Sequence, residues 1–379
     1  MTRTVDEALL DDPDALAEAD RHGTLLALAG AGAQVRAAQT LAGEAGISAV
    51  ADDGRPRALV VSALGGSAVV ADLLTALAGP RSPVPVSSVH SGTLPGWVSS
   101  LDVVVAVSVS GRAAGPLAVA AEAARRGCRL VTVGRAGSPL AEVCARARGV
   151  HVPLASDLRS SRAGLWALAV PVLMAADSLR LVEAGAAALD ETAARLDDVA
   201  ETARPASESF VNPAKALALE LAGHVPLVLG AGDLAGVGAL RAAGQLARNA
   251  RHPAVPGILP DAAGEVVATF DGPFARAEDD LFADPFETPE QTTLRLLLLR
   301  DVEEFEEPDV GRIAAVVRDT AVDSGVRVTE HRAEGRSALA RVASLVALTD
   351  FASVYLALGL GLDPATSRHV AELKERMGS

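Results

Sequence analysis

The chain has 379 residues, half of them apolar but only 3% aromatic, and a net charge of −14. That length accommodates two or three domains with an aliphatic core of Ala, Val and Leu. The negative balance argues against broad binding to nucleic acid or to an anionic membrane surface, and no run of about 18 uninterrupted apolar residues indicates a membrane span.

Residues 1–55 are acidic at the start, lack the apolar core of a signal peptide, and read as a helical segment of a cytoplasmic protein. ALVVSALGGSAVVADLLTALAG (58–79) predicts a strand, a Gly-Gly-Ser turn and a helix. Further strands are predicted at VPVSSVH (84–90), LDVVVAVSVSG (101–111), CRLVTVG (128–134) and VHVPL (150–154), with helices over 113–126 and 138–147 between the later ones. Apolar strands alternating with helices of about ten residues imply a parallel sheet covered on both faces. A long apolar helix from 163 to about 203 reads as a connector.

The same alternation then restarts. VPLVLGAGD (225–233) predicts a strand and turn, followed by the helix LAGVGALRAAGQLARNA. VVATFDG (266–272), LRLLLLRD (294–301) and GVRVTEHRA (325–333) read as strands, and the last 45 residues as one or two helices. The fold class is α/β, with two doubly wound, flavodoxin-like, five-stranded parallel sheets in tandem and helical extensions at both ends. The expected divisions are residues 1–55, a first sheet domain 56–155, connecting helices 156–205, a second sheet domain 206–340, and C-terminal helices 341–379.

Chemistry is suggested first by two strand-to-helix turns. Gly65-Gly66-Ser67 follows the first strand, and Ser108-Val-Ser110-Gly111 follows the third. Ligands of parallel sheets gather at the carboxyl ends of strands, near the switch in strand order. A helix N-terminus there offers free N–H groups suited to phosphate, and small hydroxyl residues allow close approach and add donors. Taken singly, each serine also fits helix capping. Gly230, Gly232 and Ala235 match G-x-G-x-x-[GA], but no acidic strand end follows about 20 residues later, so a tight turn explains them. The acidic stretches 277–291 and 303–309 read as solvated loops without calcium-loop spacing. Cys128 and Cys144 read as buried free thiols, and no metal or cofactor is expected. Only two of the 34 basic residues are lysine, Lys215 and Lys374, where either a chemical role or chance composition is open.

With these residues placed, the chain resembles the SIS (sugar isomerase) domain family, in particular its bifunctional phosphoglucose/phosphomannose isomerases with two such domains. The resemblance covers nearly everything from about residue 55. Gly65, Gly66 and Ser67 match the family's Gly-Gly-Ser turn, and Ser108, Ser110 and Gly111 match its Ser-x-Ser-Gly-Asn-Thr turn, with Arg112 and Ala113 replacing the last two. Arg162, after Ser161, fits an arginine aimed at the sugar. Asn212-Pro-Ala-Lys215 resembles an NPAK stretch, and the C-terminal LTDFASVYLALGLGLDPATSRHVAELKERM places Lys374 on an active-site lysine.

The resemblance implies aldose–ketose isomerisation of phosphorylated hexoses by a homodimer. It also exposes two departures. Arg248 stands where the family has its Glu base, and arginine stays protonated. The stretch Pro260–Glu265 lacks the ring-opening histidine, leaving Asp261, Glu265 and His252 as substitutes. Two functions are therefore expected. One is an isomerase using Arg162, Lys374 and Glu265, with phosphate held by Gly66, Ser67, Ser108, Ser110, Gly111 and Arg112. The other is a non-catalytic sugar-phosphate sensor or partner subunit on the same scaffold.

Overall fold

The computed structural model describes residues 4–156, 158, 162–275 and 292–376. They form two units, one centred on Gly30–Asp197 and the other on Asp198–Arg336 and Arg341–Glu375 together with the N-terminal segment to Ala29.

The first unit holds strands β1 (Leu59–Ala63), β2 (Val86–Val89), β3 (Val103–Ser108), β4 (Arg129–Gly134) and β5 (Val150–Pro153). All pair in parallel, in the order β2-β1-β3-β4-β5. Every residue of β1 and β3 is buried, as a sheet covered on both faces requires. Helices Ala114–Arg125 and Pro139–Arg146 pack on one face, where Val119, Ala120 and Leu140 meet Val60, Val104 and Leu130. Helices Val69–Ala78 and Leu165–Ser178 pack against each other on the other face.

The chain returns from β2 to β3 past β1, and a buried carboxylate ties down that return. Asp102, fully buried, accepts from Arg57 Nε at 3.0 Å, from Arg57 Nη2 at 2.6 Å and from the Ser99 N–H at 2.7 Å. Burial pushes this carboxyl up, but the hydrogen bonds from Arg57 and Ser99 outweigh it and hold it below the usual range. The connector is two helices, not one: Leu165–Ser178 and Ala186–Thr202. Asp177 ends the first by accepting from the Ala184 N–H at 2.9 Å.

The second unit holds β6 (His224–Ala231), β7 (Val255–Leu259), β8 (Thr293–Arg300) and β9 (Arg327–Arg332), parallel in the order β7-β6-β8-β9. Among the described residues this sheet has four strands rather than the expected five. The segment 266–272 is helical, running Ala263–Val267 and then a 3₁₀ turn Ala268–Asp271. Ala263, Val266, Val267 and Phe270 enter the same apolar cluster, the three- and four-residue spacing of a helix that a short β-rich string conceals.

The strand that sequence reading passes over is β7. Its Pro256 and Gly257 disguise it, and an edge strand tolerates both. A Cβ at Gly257 would lie 2.7 Å from Ala262 Cβ and from Leu229 Cδ2.

The helix Ala338–Gly359 has the length and mean hydropathy, 1.7, of a membrane span, yet 94% of its apolar window is buried inside the protein, as in a core helix. Its Asp350 makes a buried forked pair with Arg241 of helix Gly232–Gln245, at 2.9 and 2.6 Å. Both cysteines are buried and unpaired with each other.

The turn after β6 depends on Gly230, because a Cβ there would lie 2.3 Å from the backbone of Ala235 and Gly236. Gly230→Ala will lower stability by about 3 kcal/mol in urea unfolding, since the clash is with backbone that cannot rotate away. The depressed Asp102 carboxyl contributes stability at neutral pH that is lost as pH falls below its unfolded value of about 4. Asp102→Asn will therefore show a shallower loss of stability between about pH 5 and about pH 3 than the parent chain.

Candidate functional site

The strand order of the first sheet reverses between β1 and β3, since β2 lies outside β1 and β4 outside β3. Ala63 and Val107 are paired neighbours there, so the turns leaving β1 and β3 emerge side by side at the carboxyl edge. These are the two turns that the sequence singles out. Gly65–Ser67 forms a single 3₁₀ turn with Gly65 at φ +60°. Ser67 is buried, and its hydroxyl makes no hydrogen bond within the described residues. Gly66 is half-buried beside it.

The second turn is built by a close approach. Gly111 sits at φ +64°, and a Cβ on it would fall 2.1 Å from Ser138 Oγ. The Leu140 N–H donates to Gly111 O at 3.1 Å, so the turns after β3 and β4 are locked together. The buried Ser108 hydroxyl accepts from the Ala113 N–H at 3.4 Å, and the exposed Ser110 hydroxyl from the Arg112 N–H at 3.2 Å. Arg112 is exposed and its guanidinium has no partner among the described residues.

Some helices of the chain carry side-chain caps and others, including those starting at Ala31, Leu165, Gly232 and Pro308, do not. The helices Pro13–Ala19, Pro139–Arg146 and Pro213–Leu221 each have a side chain, Asp12, Ser138 or Asn212, accepting from their first-turn N–H groups. The helices Val69–Ala78 and Ala114–Arg125, which begin at the switch, have none. The first turns of these two helices, with their positive dipole ends, lie at the same edge as Ser67 and Ser108.

Arg162 is half-buried on the segment leaving the carboxyl end of β5, two residues before Gly164 caps the helix Leu165–Ser178. That segment is pinned by Gln34 Nε2, which donates to Ala163 O at 2.7 Å. Ser161 lies outside the described residues. Lys374 falls on the helix Arg368–Arg376, and its side chain is also outside them.

Glu265 and Asp261, the carboxylate substitutes, are both exposed around the start of the short helix Ala263–Val267. His252 is half-buried, and burial pushes its imidazole down toward the neutral form. Arg248 lies on a π-turn, Leu246–Ala250, where burial and then the charge of Arg241 push its guanidinium down from the usual arginine range. It has no carboxylate partner among the described residues.

Lys215 is structural. Its fully buried Nζ donates to Pro205 O at 2.8 Å and Ser207 O at 2.6 Å, and stands 5.5 Å from the centre of the Tyr355 ring. Asn212 caps the helix that carries it, accepting from the Ala214 and Lys215 N–H groups, and donates to Arg204 O. The NPAK string is thus a cap, a first-turn proline and a buried loop clamp. Sequence reading missed the polar seam of Arg241, Asn249, Asp350 and Ser353, in which Asn249 Nδ2 donates to Ser353 Oγ at 2.9 Å. The available signal was polar residues at i and i+8 on one helix and i and i+3 on another, in otherwise apolar stretches.

Residues 210–377 match the family model of the bacterial phospho-glucose isomerase C-terminal SIS domain. A bifunctional phosphoglucose/phosphomannose isomerase of Caldicellulosiruptor bescii is 27% identical over 322 residues, which is 84% of this chain and 89% of that one. The corresponding protein of Aquifex aeolicus is 28% identical over 185 residues, 48% of this chain and 51% of that one. A hypothetical protein of Thermus thermophilus superposes with a TM-score of 0.69 at 15% identity, covering 100% of this chain and 99% of that one. The tagatose-6-phosphate ketose/aldose isomerase of Escherichia coli gives 0.56 at 13% identity, covering 96% and 97%.

Asn212→Ala will cost about 1 kcal/mol of stability, as loss of a cap does, and will leave ligand affinity unchanged, measured by urea unfolding and calorimetric titration. By sequence, residues 210–377 match the bacterial phospho-glucose isomerase C-terminal SIS domain, and 84% of the chain is similar to a bifunctional phosphoglucose/phosphomannose isomerase.

Proposed function

We propose that this chain binds phosphorylated hexoses of the glucose 6-phosphate, mannose 6-phosphate and fructose 6-phosphate class in the crevice between β1 and β3, and turns them over slowly or not at all. The observation that carries the binding half is the pair of uncapped, hydroxyl-bearing turns meeting at the strand-order switch. Gly66 and Gly111 let the backbone approach a phosphate. Ser67, Ser108 and Ser110 donate hydroxyls, and Arg112 supplies charge in place of a missing threonine hydroxyl. Arg162 is the residue proposed to reach the sugar.

Loss of turnover follows from proton chemistry. Moving a hydrogen between C1 and C2 needs a base that is unprotonated at neutral pH. Arg248 stands where the resemblance implies a carboxylate base, and even lowered by burial a guanidinium remains protonated. The isomerase reading is favoured by the relatives' own activity. It requires Glu265 to serve as base, although that carboxylate is solvated on an exposed helix start. The proposal includes a cytoplasmic homodimer that uses no metal or cofactor.

In a coupled assay with fructose 6-phosphate, the purified chain is expected to turn over far below the usual enzymatic order of about 1 s⁻¹. A rate at or above that order establishes the isomerase instead. Glucose 6-phosphate is expected to raise Tm, and Ser67→Ala with Ser108→Ala is expected to abolish the rise. An unchanged rise places the ligand elsewhere.

A further inference from the structure

A cavity of about 330 Å³ in the first unit is lined by Ala51, Gly54, Arg55, Ser178, Leu179 and Arg180. It lies away from the crevice. Arg129, the first residue of β4, donates through Nη1 to Val50 O at 2.8 Å and Gly54 O at 2.7 Å, which fastens the loop bearing Arg55 to the amino end of that strand. Ser67 and Ser108 follow the carboxyl ends.

Arg55 and Arg180 have no carboxylate and no hydrogen-bond acceptor for their guanidinium groups among the described residues, although both line one cavity. Several nearby polar groups already have other partners. At the end of helix Leu165–Ser178, the carbonyls of Ala175, Ala176 and Asp177 take the N–H groups of Leu179, Leu181 and Arg180. The Asp177 carboxylate takes that of Ala184, and the Ser178 hydroxyl donates to Met174 O. Asp52 and Asp53 stand on the same loop as Arg55 but do not line the cavity. Two exposed arginines thus border one cavity whose lining holds no carboxylate.

Arg180 also holds a left-handed backbone, φ +60°, at a helix end where glycine is the usual residue. Arg148 does so too, at φ 55°, without lining the cavity, so the conformation alone is not the argument.

We infer that this cavity is a second anion site, separate from the β1/β3 crevice, and that it takes a small phosphorylated molecule between the guanidinium forks of Arg55 and Arg180. Guanidinium forks match phosphate oxygens in pairs. The volume exceeds that of a bare ion and lies at the small end of metabolite pockets. Such a site on the opposite edge of the sheet is placed to sense a phosphorylated metabolite without competing for the crevice.

The test is calorimetric titration of the full chain with glucose 6-phosphate, AMP and inorganic phosphate, using glucose as the uncharged control. In the Ser67→Ala/Ser108→Ala background one saturable phosphate-dependent site should remain, weakening as salt rises. Adding Arg55→Gln and Arg180→Gln should weaken it about a hundredfold, roughly tenfold for each charge-assisted contact. Should the serine variant fail to fold, the parent chain should show two sites and the Arg55→Gln/Arg180→Gln chain one. Arg180→Gly and Arg148→Gly should both raise Tm without ligand, by relieving the left-handed backbone, and only the first should lose binding. The inference is overturned if the serine variant folds and keeps no saturable site, if the arginine substitutions leave affinity unchanged, if Arg148→Gly weakens binding equally, or if glucose binds as well as its phosphate. Failure of the crevice reading looks different: the parent chain would then show the Arg55/Arg180 site alone.

Discussion

The parallel pairing of β1 with β3 is the constraint on which the rest of the first unit depends. Right-handed crossovers force the helix after β1 and the helix after β3 onto opposite faces once the strand order reverses. The two turns must then part, and a crevice opens at the carboxyl edge whether or not a ligand fills it. What the sequence adds is chemistry: small residues and hydroxyls gathered at two helix starts that have no side-chain cap.

Close approaches hold these turns at fixed positions. Gly111 leaves room for Ser138, and a Cβ on Gly134 would fall 2.6 Å from Ser108 O, so the end of β4 presses directly on the turn of β3. The rim of the crevice is therefore a set of backbone contacts, which are stiffer than side chains. In the second unit Gly230 plays the same part after β6, but the carboxyl edge there is occupied by ion pairs. Arg300 engages Glu306, and Arg341 donates to Asp301 at 2.7 Å while its guanidinium stacks 4.1 Å from the centre of the Phe305 ring. Two sheets of the same winding thus carry different rims, one lined by hydroxyls and glycines and one crossed by ion pairs.

Much of the first sheet was legible because its strands are continuous apolar runs punctuated by Gly and Ser, and such runs have few alternatives. The errors fell where local composition and packing disagree. β7 hides behind Pro256 and Gly257, whose cost an edge position removes. Residues 266–272 look like a strand, but Ala263, Val266, Val267 and Phe270 reach one cluster at the three- and four-residue spacing of a helix. The connector breaks because Asp177 finds the Ala184 N–H, a contact with no mark in the sequence. Among site residues, the serine turns were visible as motifs. Nothing in the string told capping from an open cradle, because that depends on which N–H each hydroxyl meets.

The sequence by itself determined the α/β winding, the place of the two glycine-serine turns, and the absence of a carboxylate at position 248, since these rest on residue type and order along the chain. Only the tertiary structure decided that Lys215 is a buried loop clamp, that Asp350 answers Arg241 across 109 positions, and that Arg55 and Arg180 line one cavity. The reason is physical: the energy of a charge is set by the solvent it loses and the partners it gains. Both are consequences of folding that distance along the chain does not encode.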